Sequence, residues 1–168
     1  GNKRTNGCRE IFAVDLPWLL SAFGQAKSIF VMKDKLSSLQ IDYPDNYIVF
    51  MNHKNGSKGV FYCDIVSRKG GRRAEIFSEH LFLTWEGTPD SLHVYDLNKH
   101  IMQYVETYQR ETEHLDLYKN MSIIEDAYMT EIAVFLRIIE GKENPIYTFK
   151  DDMKTLALID QIETWGEG

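Results

Sequence analysis

Residues 46–69 read "NYIVFMNHKNGSKGVFYCDIVSRK", and the reading of this stretch decides the fold. NYIVFMNHK, 46–54, and SKGVFYCDIVSRK, 57–69, are rich in β-branched and aromatic residues, which suit a pleated, half-buried surface. Asn55-Gly56 stands between them and predicts a tight hairpin turn with both central residues at positive φ. Along the second strand Phe61, Cys63 and Ile65 face one way, and Tyr62, Asp64, Val66 and Arg68 the other. The first face calls for helices. The second is half polar and suits solvent, a ligand or another subunit.

Working outward, KSIFVMK, 27–33, is a third strand. Gly70-Gly71 turns the chain again, and RRAEIFS, 72–78, and HLFLTWE, 80–86, continue the meander. SLHVYD, 91–96, and HIMQYVETY, 100–108, add two shorter strands before a charged loop over 109–120. Helices flank this β region. In REIFAVDLPWLLSAFG, 9–24, Ile11, Val14, Trp18 and Ala22 make a stripe at helical spacing, Gly24 is a stop, and Pro17 predicts a kink or a split. Ser122 and Glu125 form a capping box for a second helix, whose apolar face is Ile124, Tyr128, Ile132, Phe135 and Ile139 and whose end is Gly141. Thr148 and Asp151 resemble another box, opening a helix over 149–164 with Met153, Leu156, Ile159 and Ile162 inward. Tyr128, on the apolar stripe, reads as a packed ring with one hydrogen bond, and Trp85 as core or interface.

The expected fold is therefore α+β, with a predominantly antiparallel sheet and helices packed on one face. The domain reading is a disordered or tag-derived start over 1–8, suggested by a leading Gly, and a single domain over 9–168. The 168 residues suffice for one core, and 43% hydrophobic with 26% charged residues is ordinary for a globular protein. No apolar run is long enough to span a bilayer and no secretory signal is visible, so the expected location is the cytoplasm and no membrane partner is expected.

A net charge of −6 argues against nucleic acid. The one dense basic cluster, SRKGGRR at 67–73, reads as a solvated hairpin tip. Cys8 and Cys63 are too few for a disulfide framework; Cys63 reads as core and Cys8 as unpaired. The Asn55 and Asn120 sequons read as chance matches. His53, His80, His93, His100 and His114 have no metal-ligand spacing, so no metal is expected. There is no Gly-rich dinucleotide loop or phosphate loop.

The residues offered to a small ligand are Arg9, Glu10, Asp15, Arg68 and Arg72. Asp15 lies among FAVDLPWLL, either on a solvent face or in a polar pocket. Arg72 and Arg73 are adjacent and so face opposite sides of a strand; one can pair with Asp64 or Glu75, and the other can bind an anion. For Asp15 and for the arginines of 67–73 the simpler reading is structural.

Three blocks in this order resemble one family. They are DNYIVFMNHKNGSKGVFYCDIVSRKGGRRAEIFSEHLFLTWEG at 45–87, YMTEIAVFLRIIEGKENP at 128–145 and DDMKTLALIDQIE at 151–163. Together they resemble the C-terminal domain of the Gfo/Idh/MocA oxidoreductases, over about residues 9–165. The resemblance implies a parent enzyme with an N-terminal Rossmann domain that binds NAD or NADP and oxidises a sugar, inositol or related polyol. It implies that this part shapes the substrate pocket and forms a homodimer through an open sheet face. The family helix often carries a His three positions before an Asp; against Asp15 that position is Phe12, which cannot move a proton. The expectation is that this chain alone binds no cofactor, lacks its Rossmann partner and is inactive. The competing expectations are a stand-alone interaction or ligand-binding module that kept the sheet without catalysis, and an unrelated ligand-binding α+β domain.

Overall fold

The computed structural model describes residues 7–107 and 123–166. The elements are α1 (Cys8–Phe23), β1 (Ala26–Asp34), β2 (Asn46–His53), β3 (Lys58–Asp64), β4 (Ala74–Phe77), β5 (Phe82–Trp85), β6 (His93–Asp96), β7 (Ile101–Tyr104), α2 (Ile123–Ile139) and α3 (Phe149–Glu163). The fold is α+β, and the strand pairs among the described residues are antiparallel. The strands form two sheets, of order β1-β2-β3 and β4-β5-β6-β7, where the sequence suggested one meander. The chain divides into two compact units, Gly1–Arg68 with Ile146–Gly168, and Lys69–Pro145.

The break follows from Asp64. Its carboxylate accepts the amides of Val66 and Ser67, at 2.8 and 2.6 Å, which turns the backbone and ends β3 five residues before Lys69, the end expected from the sequence. Those amides, Ser67 first, hold the Asp64 carboxyl below its ordinary value. The basic run at 67–73 is thus an exposed connection between sheets and not a hairpin tip.

In the first unit the 46–69 hairpin forms with Phe50 opposite Val60 and Ile48 opposite Tyr62. Its loop has three residues, Lys54, Asn55 and Gly56, instead of two. The Gly56 amide donates to the His53 carbonyl at 3.1 Å, and the His53 amide to the Ser57 carbonyl at 2.8 Å. Only Gly56 takes positive φ, at 93°, as in a type I turn closed by a bulge.

The core lies between one face of this sheet and the helices α1 and α3. It gathers Phe12, Leu16 and Leu20 of α1, Val31, Tyr47, Val49, Met51 and Cys63 of the sheet, and Leu158, Ile159 and Ile162 of α3. Phe61 and Ile65 pack against it, on the face expected for them. The buried stripe of α1 is Cys8, Phe12, Leu16 and Leu20, with Asp15 beside it; Val14, Trp18 and Ala22 of the expected stripe are exposed. This helix is apolar nearly all round, so spacing alone could not select the inward face. Pro17 does not split α1. The carbonyl that lacks its amide belongs to Ala13, which is exposed and open to water. Cys8 is buried and helical, which removes it from the expected disordered start; residues 1–6 lie outside the described residues.

α3 opens on the expected capping box, with the Thr148 hydroxyl accepting from the Asp151 amide and the Asp151 carboxylate accepting from the Thr148 amide. Thr155, Leu158, Ile159 and Ile162 are its buried residues, whereas Met153 and Leu156 are exposed.

In the second unit β4–β7 form a meander, and α2 ends as expected at Gly141. The Lys142 amide reaches the Arg137 carbonyl at 2.9 Å and the Gly141 amide the Ile138 carbonyl at 3.0 Å, a Schellman ending. Tyr128, Ile132, Phe135 and Ile139 make the expected stripe, but all are exposed. The Ser122–Glu125 box, the side chain of Ile124, His114, the Asn120 sequon and the loop over 109–120 lie outside the described side chains.

Candidate functional site

α1 carries three of the five candidate side chains. Successive helical residues are rotated by about 100°, so Arg9, Glu10 and Asp15 point about 100–140° apart and do not converge. Arg9 turns to α3, where its guanidinium donates to Asp160 at 2.9 Å and to Glu163. Burial would lower its pKa, but the two carboxylates outweigh burial and raise it. Arg9 thus clamps two helices 151 and 154 positions apart in sequence. Glu10 is exposed. Asp15 is buried, and the Trp18 indole N–H lies 3.5 Å from its Oδ1. Phe12 is fully buried against Tyr47 and Phe61, with ring centroids 5.3 and 5.6 Å away. A proton-transfer group at that position would face the core and not a substrate.

Arg68 and Arg72 are both exposed and belong to different units. A Cβ at Gly87 would meet the Arg72 carbonyl oxygen at 2.5 Å, so the backbone at Arg72 is pressed against that turn. Among the described residues, no three His, Cys, Asp or Glu side chains come together to hold a metal. No described helix is long and apolar enough to cross a membrane.

The most developed surface is the other face of β1-β2-β3. Register places Phe30, Phe50 and Val60 in one cross-strand row and Met32, Ile48 and Tyr62 in the next. Polar rows flank them: Ser28, Asn52 and Lys58 on one side, Asp34, Asn46 and Asp64 on the other. Asn52 donates to Ser28 at 3.1 Å and Asn46 to the Tyr62 hydroxyl at 2.9 Å, so the rims are satisfied. The apolar band is open to solvent, with Val60 65%, Tyr62 58% and Phe30 55% exposed. Trp165, just past α3, meets the Phe30 ring at 6.0 Å, and Lys33 donates to the Glu163 carbonyl, so the helix end closes over the β1 edge. Sequence alternation gave the Tyr62 and Asp64 side of this face; the β1 contribution needed the register.

The second unit holds a set the sequence did not single out. Glu75, Thr84, His93 and Tyr104 lie in register across four strands on one sheet face. His93 Nδ1 lies 3.0 Å from the Ser91 carbonyl, which makes that nitrogen the donor. Its ring meets Tyr104 edge-on at 6.0 Å. His100 instead faces the Tyr95 hydroxyl, at 3.3 Å. Trp85 is half-buried and donates to the Thr88 carbonyl at 2.8 Å.

No protein-family model matches the chain, and neither does any curated protein. Several solved oxidoreductases share the fold. UDP-N-acetylglucosamine 3-dehydrogenase GnnA from Acidithiobacillus ferrooxidans matches with a TM-score of 0.70 at 19% identity, over 91% of this chain and 44% of its own. The WlbA dehydrogenase from Bordetella pertussis, solved with NADH and UDP-GlcNAcA, matches at 0.61 and 13%, over 89% and 42%. Biliverdin reductase from Synechocystis, solved with biliverdin and NADP+, matches at 0.63 and 9%, over 91% and 45%. The chain thus spans less than half the length of these enzymes. Their ligands differ widely, so the shared fold does not fix a substrate.

Proposed function

We propose that this chain is the C-terminal, substrate-shaping and dimer-forming domain of a Gfo/Idh/MocA-type oxidoreductase. The parent would use NAD or NADP on a sugar, inositol or related polyol, and the dinucleotide would sit on a Rossmann domain outside this chain. The observation that supports this most is the fold match, nearly complete for this chain and under half for the dehydrogenases. Glu10, Asp15 and Arg68 of the first unit, and separately Arg72 of the second, are each proposed as individual candidates for substrate contact, with Arg9 holding α1 to α3. A dinucleotide needs backbone amides at a Gly-rich helix start for its pyrophosphate, and the sequence has no such motif. We expect no measurable NADH or NADPH uptake by this chain in calorimetry, and binding once the upstream half of the parent is joined to it. Micromolar binding to the chain alone would overturn the division of labour.

The open band on β1–β3 is the surface proposed to pair two copies. An apolar patch of this kind, rimmed by polar residues, is a mark of an interface. Sedimentation at tens of micromolar is expected to show a dimer, and Phe50→Lys, which puts a cation in the middle of the band, is expected to give a folded monomer. A strictly monomeric parent chain would count against it. The burial of Phe12 and the engagement of Arg9 favour a second reading, an interaction module without catalysis. Hydride transfer by the joined parent would exclude that reading.

A further inference from the structure

Cys8 is the first residue of α1, and Cys63 is the last but one of β3. They lie 55 positions apart, both are buried and neither is in a disulfide. Each thiol lies beside the other's backbone: Cys8 Sγ is 3.8 Å from the Cys63 carbonyl, and Cys63 Sγ is 3.9 Å from the Cys8 carbonyl. Such reciprocal contacts arise when two side chains lie alongside one another and not when they point apart. Lying alongside one another is the first condition for a disulfide.

Their access to solvent differs. Gly7 caps α1 without a side-chain hydrogen bond, and Cys8 becomes accessible when the first turn opens and Arg9 releases Asp160 and Glu163. Local opening of this kind begins at helix ends. Cys63 lies within a paired strand, opposite Tyr47.

We propose that Cys8 and Cys63 are an oxidation site, at which a small disulfide such as glutathione disulfide converts the two thiols into one bond. In the frayed state the Cys8 thiolate attacks a glutathione sulfur, forming a mixed disulfide and releasing one glutathione thiolate. As the turn recloses, the Cys63 thiolate attacks Cys8 Sγ, forms the protein disulfide and releases the second glutathione. The two thiol protons go to the departing thiolates, the protein loses two electrons and the oxidant gains them. Cys8 stands at a helix start and Cys63 inside a paired strand, so opening exposes Cys8 and it reacts first. The product staples α1, with Arg9, Glu10 and Asp15, to the exit of β3.

The test is incubation of the full chain with excess glutathione disulfide at neutral pH, against a reduced control. Mass spectrometry is expected to show the loss of two hydrogens, no retained glutathione and a Cys8–Cys63 linked peptide. The thermal midpoint is expected to rise by roughly 5 °C or more, since a long loop is closed in the unfolded chain. Cys63→Ser is expected to keep one glutathione on Cys8. Unreacted thiols, a stable glutathione adduct on the unmutated chain, covalent dimers, or a Cys63→Ser variant that takes no glutathione would each overturn the proposal.

Discussion

Asp45→Ala is expected to lower the stability of the first unit by about 3 kcal/mol, because it removes a buried acceptor that organises a whole loop. The Asp45 side chain is fully buried. It accepts the Leu36 amide at 2.7 Å, the Ser37 amide at 3.0 Å and the Ser37 hydroxyl, with Lys35 Nζ at 3.2 Å. Its backbone extends the same knot. The Asp45 amide donates to Asp34, its carbonyl takes the Ile65 amide, and the Cys8 thiol lies 3.6 Å from that carbonyl. One residue therefore ties the end of β1, the exit of β3 and the start of α1. Urea unfolding followed by near-ultraviolet signals would measure the loss, and faster tryptic cleavage after Lys35 would locate it. Asp45→Asn keeps one acceptor oxygen and is expected to lose about half as much. An unchanged midpoint in Asp45→Ala would show that the loop holds without the carboxylate.

The same residue sets an acid limit. Burial alone would raise the Asp45 pKa, but the Ser37 hydroxyl, the Leu36 and Ser37 amides and Lys35 outweigh it, so the folded value lies well below the ordinary one. A depressed folded pKa gives stability that is complete above the unfolded value, about 4, and is lost as pH falls through the folded value. The unmutated chain is expected to lose stability more steeply than Asp45→Asn as pH drops below about 4.

What the sequence showed and what it hid divide along one physical line. Features set by neighbours in the chain were legible: the strands, the Gly56 turn, the Thr148–Asp151 box and the Gly141 stop are all written within a few residues. Features set by distant partners were not. Arg9 looked available for a small ligand until Asp160 and Glu163 came to it from the far end of the chain. Asp45 drew no reading from the sequence because its partners are amides, which carry no sequence signal. Asp64 is the intermediate case. Its bonds are local, yet Asp64 continued the alternation so well that the end of β3 was masked. On the candidate site, alternation found one edge of the open band, but only register could add Phe30 and Met32 to Tyr62.

Phe12 is where fold and function make opposing demands, and its substitution is expected to have the largest effect of all. It is fully buried, meets Tyr47 edge-on at 5.3 Å and Phe61 at 5.6 Å, and lies on the stripe with Leu16 and Leu20 that seals α1 to the sheet. Truncation to Ala removes a ring from a site walled by the sheet and is expected to cost about 3–5 kcal/mol, read as a lowered urea midpoint. Phe12→His separates the two demands. If this position serves packing, the imidazole arrives in an apolar site, is expected to cost about 2 kcal/mol or more, and destabilises further as pH falls and the ring must charge. If the position faces a substrate cleft, His is tolerated and stability is flat between pH 8 and 5, about the range in which a free imidazole titrates. The ring contacts predict the first result. A flat profile would show that the inner face of α1 faces a cleft and not the packed core.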